Sequence, residues 1–283
     1  MYRSWRPYSN IRHANMPKYR RPAHSTEKPN VLVSVVTTLY NYRDYIGELI
    51  DSVKAQTYQN WELVIIDDAS TDNPAEVIEK YLSDSRIRYF RFEQNQGYSK
   101  AKNEGIVQSK GAFIVMIDAD DLLTPNSIQD RVNMLMGNPQ ALWCHGDVYD
   151  LYPDGKTDVR ASEKRKLLRA EMLRDGKHLD REYHHRLIHA QGIMVRRDFH
   201  KILGLYDESL RFSSDNEMFR RSIRFGVIPV FCPSFVAIYR HHLGQMSKSA
   251  EKQARLIKVK KVILAMVDRR FLEGINGHNT RLL

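Results

Sequence analysis

The chain has 283 residues, of which 42% are hydrophobic and 10% aromatic, and its formal net charge is +10. This composition is typical of a globular protein and excludes a mainly disordered chain. The longest apolar runs, 31–36 and 113–117, are far shorter than the roughly 20 residues of a membrane-spanning helix, and two cysteines, Cys144 and Cys232, are too few for a disulfide framework or a cysteine-rich metal site.

The basic charge is concentrated at the two ends of the chain. Residues 1–30 contain seven Lys or Arg against one acidic residue and show no hydrophobic period, so we predict an irregular basic arm. The arm lacks the apolar core of a secretory signal, and we therefore expect a cytoplasmic protein. Residues 251–283 hold eight basic against three acidic residues, which leaves residues 31–250 nearly neutral. We favour contact with an anionic membrane over nucleic-acid binding as the role of the basic ends. The alternative interpretation is that the ends are solubilising tails.

From Val31 onward, strand and helix patterns alternate. In chain order they are a strand VLVSVVTT (31–38), a helix with apolar residues at 45–53, a strand ELVIID (62–67), a helix beginning at Asn73–Pro74, a strand Ile87–Phe92, a helix near Ser99–Gln108, a strand AFIVMI (112–117) and a helix beginning at Thr124–Pro125. Repeated β-α-β units predict a mostly parallel sheet with helices on both faces. Its ligand site is expected at the carboxyl ends of the strands, where Asn41, 67–68 and 118–121 fall.

After residue 140 the pattern becomes irregular, and we predict a second lobe there. It contains a charged stretch at 160–186, a short apolar segment Gly192–Val195 and a helix around Glu217–Phe225. Residues 251–283 predict an amphipathic helix with Lys and Arg opposite its apolar face. That helix packs on the core or lies on a membrane surface.

The acidic run Asp118-Ala119-Asp120-Asp121 directly follows a predicted strand. Carboxylates this close repel one another, and a divalent cation such as Mg²⁺ or Mn²⁺ is the usual remedy. Such ions commonly bind together with substrate phosphates, which indicates a phosphorylated ligand such as a nucleotide. Helix-capping acids are the alternative interpretation. The chain has no GxGxxG and no GxxxxGK[ST] loop, so metal and side chains would have to hold the phosphates.

The order and spacing of seven segments resemble the GT-A-fold glycosyltransferases of family 2. The segments are VSVVTTLYN (33–41), SVKAQTYQNWELVIIDDASTD (52–72), NQGYSKAKNEGI (95–106), GAFIVMIDADD (111–121), GIMVRRDFHKILGLYDESL (192–210), SDNEM (214–218) and YRHHLGQMS (239–247). The resemblance implies an α/β, Rossmann-like GT-A fold with a nucleotide-sugar half at 31–121 and an acceptor half at 122–250. It also implies inverting, metal-dependent hexosyl transfer.

The resemblance further implies roles for individual residues. Thr38, Tyr40 and Asp68 match positions that hold the ribose and base of the nucleotide, and Lys102 stands where many relatives have a donor-binding arginine. In the DXD-type motif, Asp120 would bind Mn²⁺ or Mg²⁺, whereas its neighbours Asp118 and Asp121 would contact the donor or support the metal.

On the acceptor side, the resemblance implies that Asp215 is the catalytic base. Ser214 stands where an acidic residue is usual, so Glu217 is a second candidate for the base. Arg240 would stabilise the departing diphosphate and His242 would be a metal ligand, although the adjacent His241 could take that place.

The predicted partners are a nucleotide-sugar, with a UDP-linked donor favoured, and a hydroxyl of a glycan or lipid-linked acceptor. Two other classes of protein stay open. A non-catalytic nucleotide-sugar-binding protein would use the basic ends for a membrane or nucleic acid. A nucleotidyltransferase would also carry paired aspartates, but it would want a phosphate-binding Lys or Gly loop near the first strand, and YNYRDY (40–45) offers none.

Overall fold

The computed structural model of the chain describes residues 30–159, 188–210 and 213–245. The strands are β1 Val33–Leu39, β2 Trp61–Asp67, β3 Ile87–Arg91, β4 Phe113–Asp118, β5 Leu122–Leu123, β6 Trp143–Leu151, β7 Thr157–Asp158, β8 Ile193–Arg196 and β9 Val230–Arg240. The α-helices are α1 Arg43–Lys54, α2 Ala75–Ile78, α3 Tyr98–Gln108, α4 Ser127–Gly137, α5 Arg197–Leu203 and α6 Ser214–Arg224. The N-terminal arm up to residue 29, the charged stretch 160–186 and the predicted helix at 251–283 lie outside the described residues.

The strands form one sheet in the order β3-β2-β1-β4-β8-β6-β9-β5, and β7 pairs with β6. Strands β1 to β4 are parallel, with Val33 opposite both Trp61 and Phe113. Strands β6 and β9 form a further long parallel pair, whereas β8, β5 and β7 pair antiparallel. The predicted α/β class with a mostly parallel sheet is confirmed.

Helices cover both faces of the sheet because successive strand residues point to opposite sides. Val35 of β1 packs with the buried side chains of α1 and α4. Its neighbour Val36 packs with those of α3, α5 and α6 on the other face. Gly105 lets α3 approach β1 closely, since a Cβ there would lie 2.2 Å from Cγ1 of Val36. The apolar runs recognised in the sequence are therefore strands buried on both faces.

The segment expected to be an irregular second lobe instead contributes β6, β8 and β9 to the same sheet. The register of β6 on β9 shifts between His145 and Val148, which disrupts the regular alternation that predicts strands. Gly146 lies at this irregularity, where a Cβ would come within 2.7 Å of Val236. The local bulge explains why the strand pattern is hard to see in the sequence.

Within the described ranges, no helix has both the length and the apolar character needed to cross a bilayer.

Candidate functional site

The loops that follow β1 and β2 are joined by hydrogen bonds into one rim at the carboxyl edge of the sheet. Asn41 donates its backbone N–H to Oγ of Ser70 (3.0 Å), and its side-chain oxygen accepts from the N–H of Thr71 (2.7 Å). The N–H of Arg43, at the start of α1, donates to Asp72 (2.8 Å). Asn41 has a φ of 58°, a left-handed conformation that Asn tolerates better than most residues. These hydrogen bonds between the two loops fix the shape of the rim.

The predicted nucleotide-binding residues surround this rim. Thr38 lies in β1 directly opposite Asp118 of β4, and Tyr40 is 46% exposed just beyond the strand. Asp68 is buried, and its two oxygens accept the backbone N–H groups of Gln96 (2.6 Å) and Gly97 (2.9 Å). Burial raises the pKa of Asp68 despite these two hydrogen bonds. Asp68 therefore organises the loop before α3, and its contact with a nucleotide stays a prediction.

The acidic cluster consists of Asp118, Asp120 and Asp121, each with a carboxylate oxygen within 4.8 Å of the others. Asp121 is fully buried; its Oδ1 accepts the N–H of Arg240 (2.8 Å), and its Oδ2 has no hydrogen-bond partner among the described residues. Burial and the neighbouring carboxylates raise the pKa of Asp121. Burial is also the main reason that the pKa of Asp118 rises to about 6. A buried oxygen without a partner is costly, and clustered carboxylates suit a hard divalent cation, so these residues fit such an ion.

The end of β9 and the residues after it, which include Arg240 and His242, contact this cluster. Nε of Arg240 donates to the backbone oxygen of Asp120 (3.0 Å), and Nε2 of His242 lies 3.0 Å from Oδ2 of Asp120. His241 points elsewhere, with Nε2 2.8 Å from Asp150. The structure therefore identifies His242 as the histidine that reaches the acidic cluster.

Two residues that hold Asp118 in place were not singled out in the sequence. Gln191 accepts the backbone N–H of Asp118 (3.1 Å) and donates Nε2 to its Oδ2 (2.6 Å). The hydroxyl of Tyr98 donates to Oδ1 (2.6 Å). Gln191 precedes β8 by two residues and is separated from Asp118 by 73 positions. No sequence pattern reports such a pair, because the fold alone brings it together.

Asp215 lies in the first turn of α6 and forms an ion pair with Lys102 of α3, with Nζ 2.5 Å from Oδ1. The ammonium of Lys102 lies 4.0 Å from the ring centre of Tyr98 and 4.9 Å from that of Tyr206. Lys102, Asp215 and Asp118 line the same cavity. The structure thus brings the predicted base and the predicted metal site together and places Lys102 on the base.

The other candidates on this side have structural roles. Glu217 is fully buried, and both of its oxygens accept from the guanidinium of Arg221, at 2.9 and 2.5 Å. An acceptor cannot reach this carboxylate, so Asp215 is the better candidate for the base. Trp143 and His145 of β6 are also buried.

Comparisons with known proteins identify the family of the chain. The sequence model described as Glycosyl transferase family 2 matches residues 34–204, more than half of the chain. An uncharacterised glycosyltransferase of Rickettsia typhi is 30% identical over 230 residues, which are 78% of this chain and 68% of that protein. UDP-Glc:alpha-D-GlcNAc-diphosphoundecaprenol beta-1,3-glucosyltransferase WfgD of Escherichia coli is 36% identical over 107 residues, 38% of this chain and 42% of WfgD.

Solved structures share the fold at low sequence identity. Mannosyltransferase PcManGT from Pyrobaculum calidifontis, in complex with GDP-Man and Mn²⁺, has a TM-score of 0.62 at 18% identity and covers 90% of this chain and 66% of its own. TarS from S. aureus, in complex with UDP-GlcNAc, has a TM-score of 0.60 at 20% identity over 77% of this chain and 61% of its own. With the family match over most of the sheet, the chain is a glycosyltransferase and belongs to glycosyl transferase family 2.

Proposed function

We propose that this enzyme is an inverting, divalent-metal-dependent glycosyltransferase. It moves a hexosyl group from a nucleotide-sugar to a hydroxyl of a glycan or lipid-linked acceptor. The observation that carries the proposal is the acidic cluster of Asp118, Asp120 and Asp121 with its unpartnered buried oxygen, and Asp215 lines a small cavity together with Asp118. A base and an acidic metal cluster next to one cavity are what sugar transfer from a diphosphate requires.

The donor is proposed to bind along the rim after β1 and β2, with a UDP-linked sugar favoured. Tyr40 is exposed and is proposed to contact the nucleobase, and Thr38 and Asp68 are proposed to contact the ribose. TarS was solved with UDP-GlcNAc and WfgD is named for UDP-Glc, which supports a UDP donor. PcManGT was solved with GDP-Man, so GDP is the alternative that the experiment must include.

Asp118, Asp120, Asp121 and His242 are the residues proposed to hold Mn²⁺ or Mg²⁺. When bound, such an ion supplies positive charge that offsets the growing negative charge of the departing diphosphate. Arg240 adds a guanidinium on the same side, held by the backbone oxygen of Asp120. Gln191 fixes the orientation of Asp118 by accepting its backbone N–H and by donating to its carboxylate.

In the proposed reaction, Asp215 accepts the proton of the acceptor hydroxyl. The acceptor oxygen forms a bond to the anomeric carbon from the face opposite the diphosphate. The bond from that carbon to the diphosphate oxygen breaks, and its electron pair leaves with the nucleoside diphosphate. Attack from the opposite face inverts the configuration of the anomeric carbon.

We also propose that the enzyme works at the cytoplasmic face of an anionic membrane. The basic segments 1–30 and 251–283 supply the charge that such a surface attracts. WfgD is named for a diphosphoundecaprenol acceptor, which supports a lipid-linked acceptor for this chain as well.

The test is calorimetric titration of UDP, GDP and their common sugar derivatives, each with Mn²⁺ and with a chelator, followed by an acceptor screen with the nucleotide that binds. We expect metal-dependent binding of one nucleotide. Asp120→Ala should abolish both binding and transfer, whereas Asp215→Asn should lower transfer by about 100-fold or more and leave nucleotide affinity nearly unchanged. Asp198→Asn is a matched control because Asp198 is an exposed acid paired only with Lys201 among the described ion pairs. Normal turnover by Asp215→Asn would refute the base assignment, and absence of binding by any nucleotide would refute the donor class.

A further inference from the structure

Lys102 is almost inaccessible to a ligand from solution. Its side chain is 3% exposed, and its ammonium lies near the ring faces of both Tyr98 and Tyr206 while it contacts Oδ1 of Asp215. Aromatic faces attract a cation, so the two rings stabilise the ammonium in its position next to the carboxylate. Burial is the main cause that raises the pKa of Tyr206, and the nearby carboxylate of Asp215 raises it further. The contacts of Lys102 are thus directed at the proposed base.

The backbone around this ion pair is held in place from both sides. The side-chain amide of Asn103 donates to the backbone oxygen of Tyr206 (3.0 Å) and accepts the backbone N–H of the same residue (2.9 Å). The hydroxyl of Ser99 donates to the backbone oxygen of Leu210 (2.8 Å). These bonds join α3 to the segment that leads to α6, so Lys102 and Asp215 keep a fixed separation.

A general base acts at a defined distance from the hydroxyl that it deprotonates, and it must be ionised to accept the proton. The ion pair with the Lys102 ammonium supplies the defined position, because it restricts rotation of the Asp215 carboxylate. An ammonium has no lone pair, so Lys102 itself cannot accept the proton. Its contribution is to the geometry of Asp215.

We propose that Lys102 is a positioning residue for Asp215 rather than a ligand of the donor. The inference rests on the proposed function, in which Asp215 removes the proton of the acceptor. It also departs from the role that the family resemblance implies for position 102.

The two roles are separated by Lys102→Met and Lys102→Arg, studied with UDP as the binding probe and with UDP-glucose and UDP-GlcNAc as donors. With Mn²⁺, we expect the Kd of UDP for Lys102→Met to stay within about threefold of the native value while UDP release at saturating donor falls about tenfold or more. Lys102→Arg should recover part of the rate because it keeps a cation. An increase in Kd of about tenfold with an unchanged kcat would identify Lys102 as a donor ligand and overturn the proposal.

A second measurement does not need turnover. The shifts in Tm for Lys102→Met and Asp215→Asn should be clearly non-additive in the double variant, because each single change leaves a partner of the ion pair alone. Lys100→Met is the matched control on the same helix, where Lys100 lies 3.5 Å from Glu208 and both side chains are partly exposed. The Tm shifts of Lys100→Met and Asp215→Asn should be additive in their double variant. Additive shifts for the Lys102 pair overturn the inference. If the native enzyme releases no UDP from either donor, that result counts against the proposed UDP-sugar transfer. The UDP titration and the comparison of Tm shifts in the single and double variants then still decide the role of Lys102.

Discussion

Replacing Asp121 by Asn should stabilise the metal-free enzyme and remove its response to Mn²⁺. The Asp121 side chain is fully buried, and only its Oδ1 has a hydrogen-bond partner among the described residues, the N–H of Arg240. Asn has nearly the same shape and keeps that acceptor. The substitution therefore removes a negative charge without removing the described hydrogen bond.

The expected gain follows from the spacing of the cluster. With oxygens of the carboxylates up to 4.8 Å apart, each charge pair repels by about 3.5 kcal/mol at an effective dielectric constant of about 20. The guanidinium of Arg240 offsets part of this repulsion, so we expect a net gain of about 1–3 kcal/mol in the free energy of unfolding. For a domain of this size the gain corresponds to a rise in Tm of roughly 2–10 °C.

The stability gain of Asp121→Asn should depend on pH, and the sign of that dependence follows from the pKa of Asp121. Burial and the two neighbouring carboxylates raise the pKa of Asp121 above its usual 3.8. The cost of the ionised side chain is therefore complete above the raised pKa and disappears as the pH falls through it toward 3.8. The advantage of Asp121→Asn should be larger at pH 8 than at pH 5.

The assay is thermal unfolding of the native enzyme and of Asp121→Asn, in chelator and in Mn²⁺, at both pH values. Native Tm should rise with Mn²⁺, because an ion that binds only the folded state stabilises it, and the variant should show little rise. The control variant Asp198→Asn changes a partly exposed acidic residue, and it should show the same Tm and the same Mn²⁺ response as the native enzyme. A variant that is less stable than the native enzyme in chelator at pH 8, or that keeps the full Mn²⁺ response, would refute this reasoning.

Three further predictions concern packing and the basic end of the chain. Gly105→Ala should lower the free energy of unfolding in denaturant by about 1–3 kcal/mol, because its Cβ would meet Val36 at 2.2 Å. Gly137→Ala is the control, since no described atom lies within 4 Å of its Cβ, and it should be neutral or stabilise the protein by up to about 1 kcal/mol. Equal effects of the two substitutions would argue against close packing of α3. Trp143→Ala should cost about 3–5 kcal/mol in the same assay, since the ring is buried against Phe219, and a loss below about 1 kcal/mol would contradict its core position. Removal of residues 251–283 should reduce flotation with anionic liposomes, and identical flotation would exclude that segment as the membrane contact.

The half of the fold that is made of β1 to β4 could be predicted from the sequence, for a physical reason. Strands buried on both faces are apolar through their centres, so runs such as 63–66 and 113–117 stand out from the helices between them. The same geometry places the residues after each strand at one edge of the sheet, which is why the sequence alone predicts that 118–121 lie at that edge.

The rest depends on contacts between distant residues. Lys102 and Asp215 are 113 positions apart, and nothing near either residue indicates that they form an ion pair. Gln191 lies just outside the segments that resemble the family, although it holds Asp118. Glu217 is a candidate base by position, and only its burial and its pairing with Arg221 make Asp215 the better candidate. Residue type and spacing predict which groups reach the site edge, whereas the partners of each group follow from the tertiary fold.

The closure of the acidic cluster by Arg240 and His242 has a consequence for the order in which the nascent chain gains activity. Strands β1 to β4 connect through short local crossovers and are complete by residue 118. The contacts that close the site are made about 120 positions later, at separations of 119 to 122 residues. Such non-local contacts form late, and domains are synthesised from the N-terminus. We therefore expect ribosome-bound chains that end before β9 to have a folded nucleotide half without a finished metal site, so that transfer begins only when almost the whole domain has emerged.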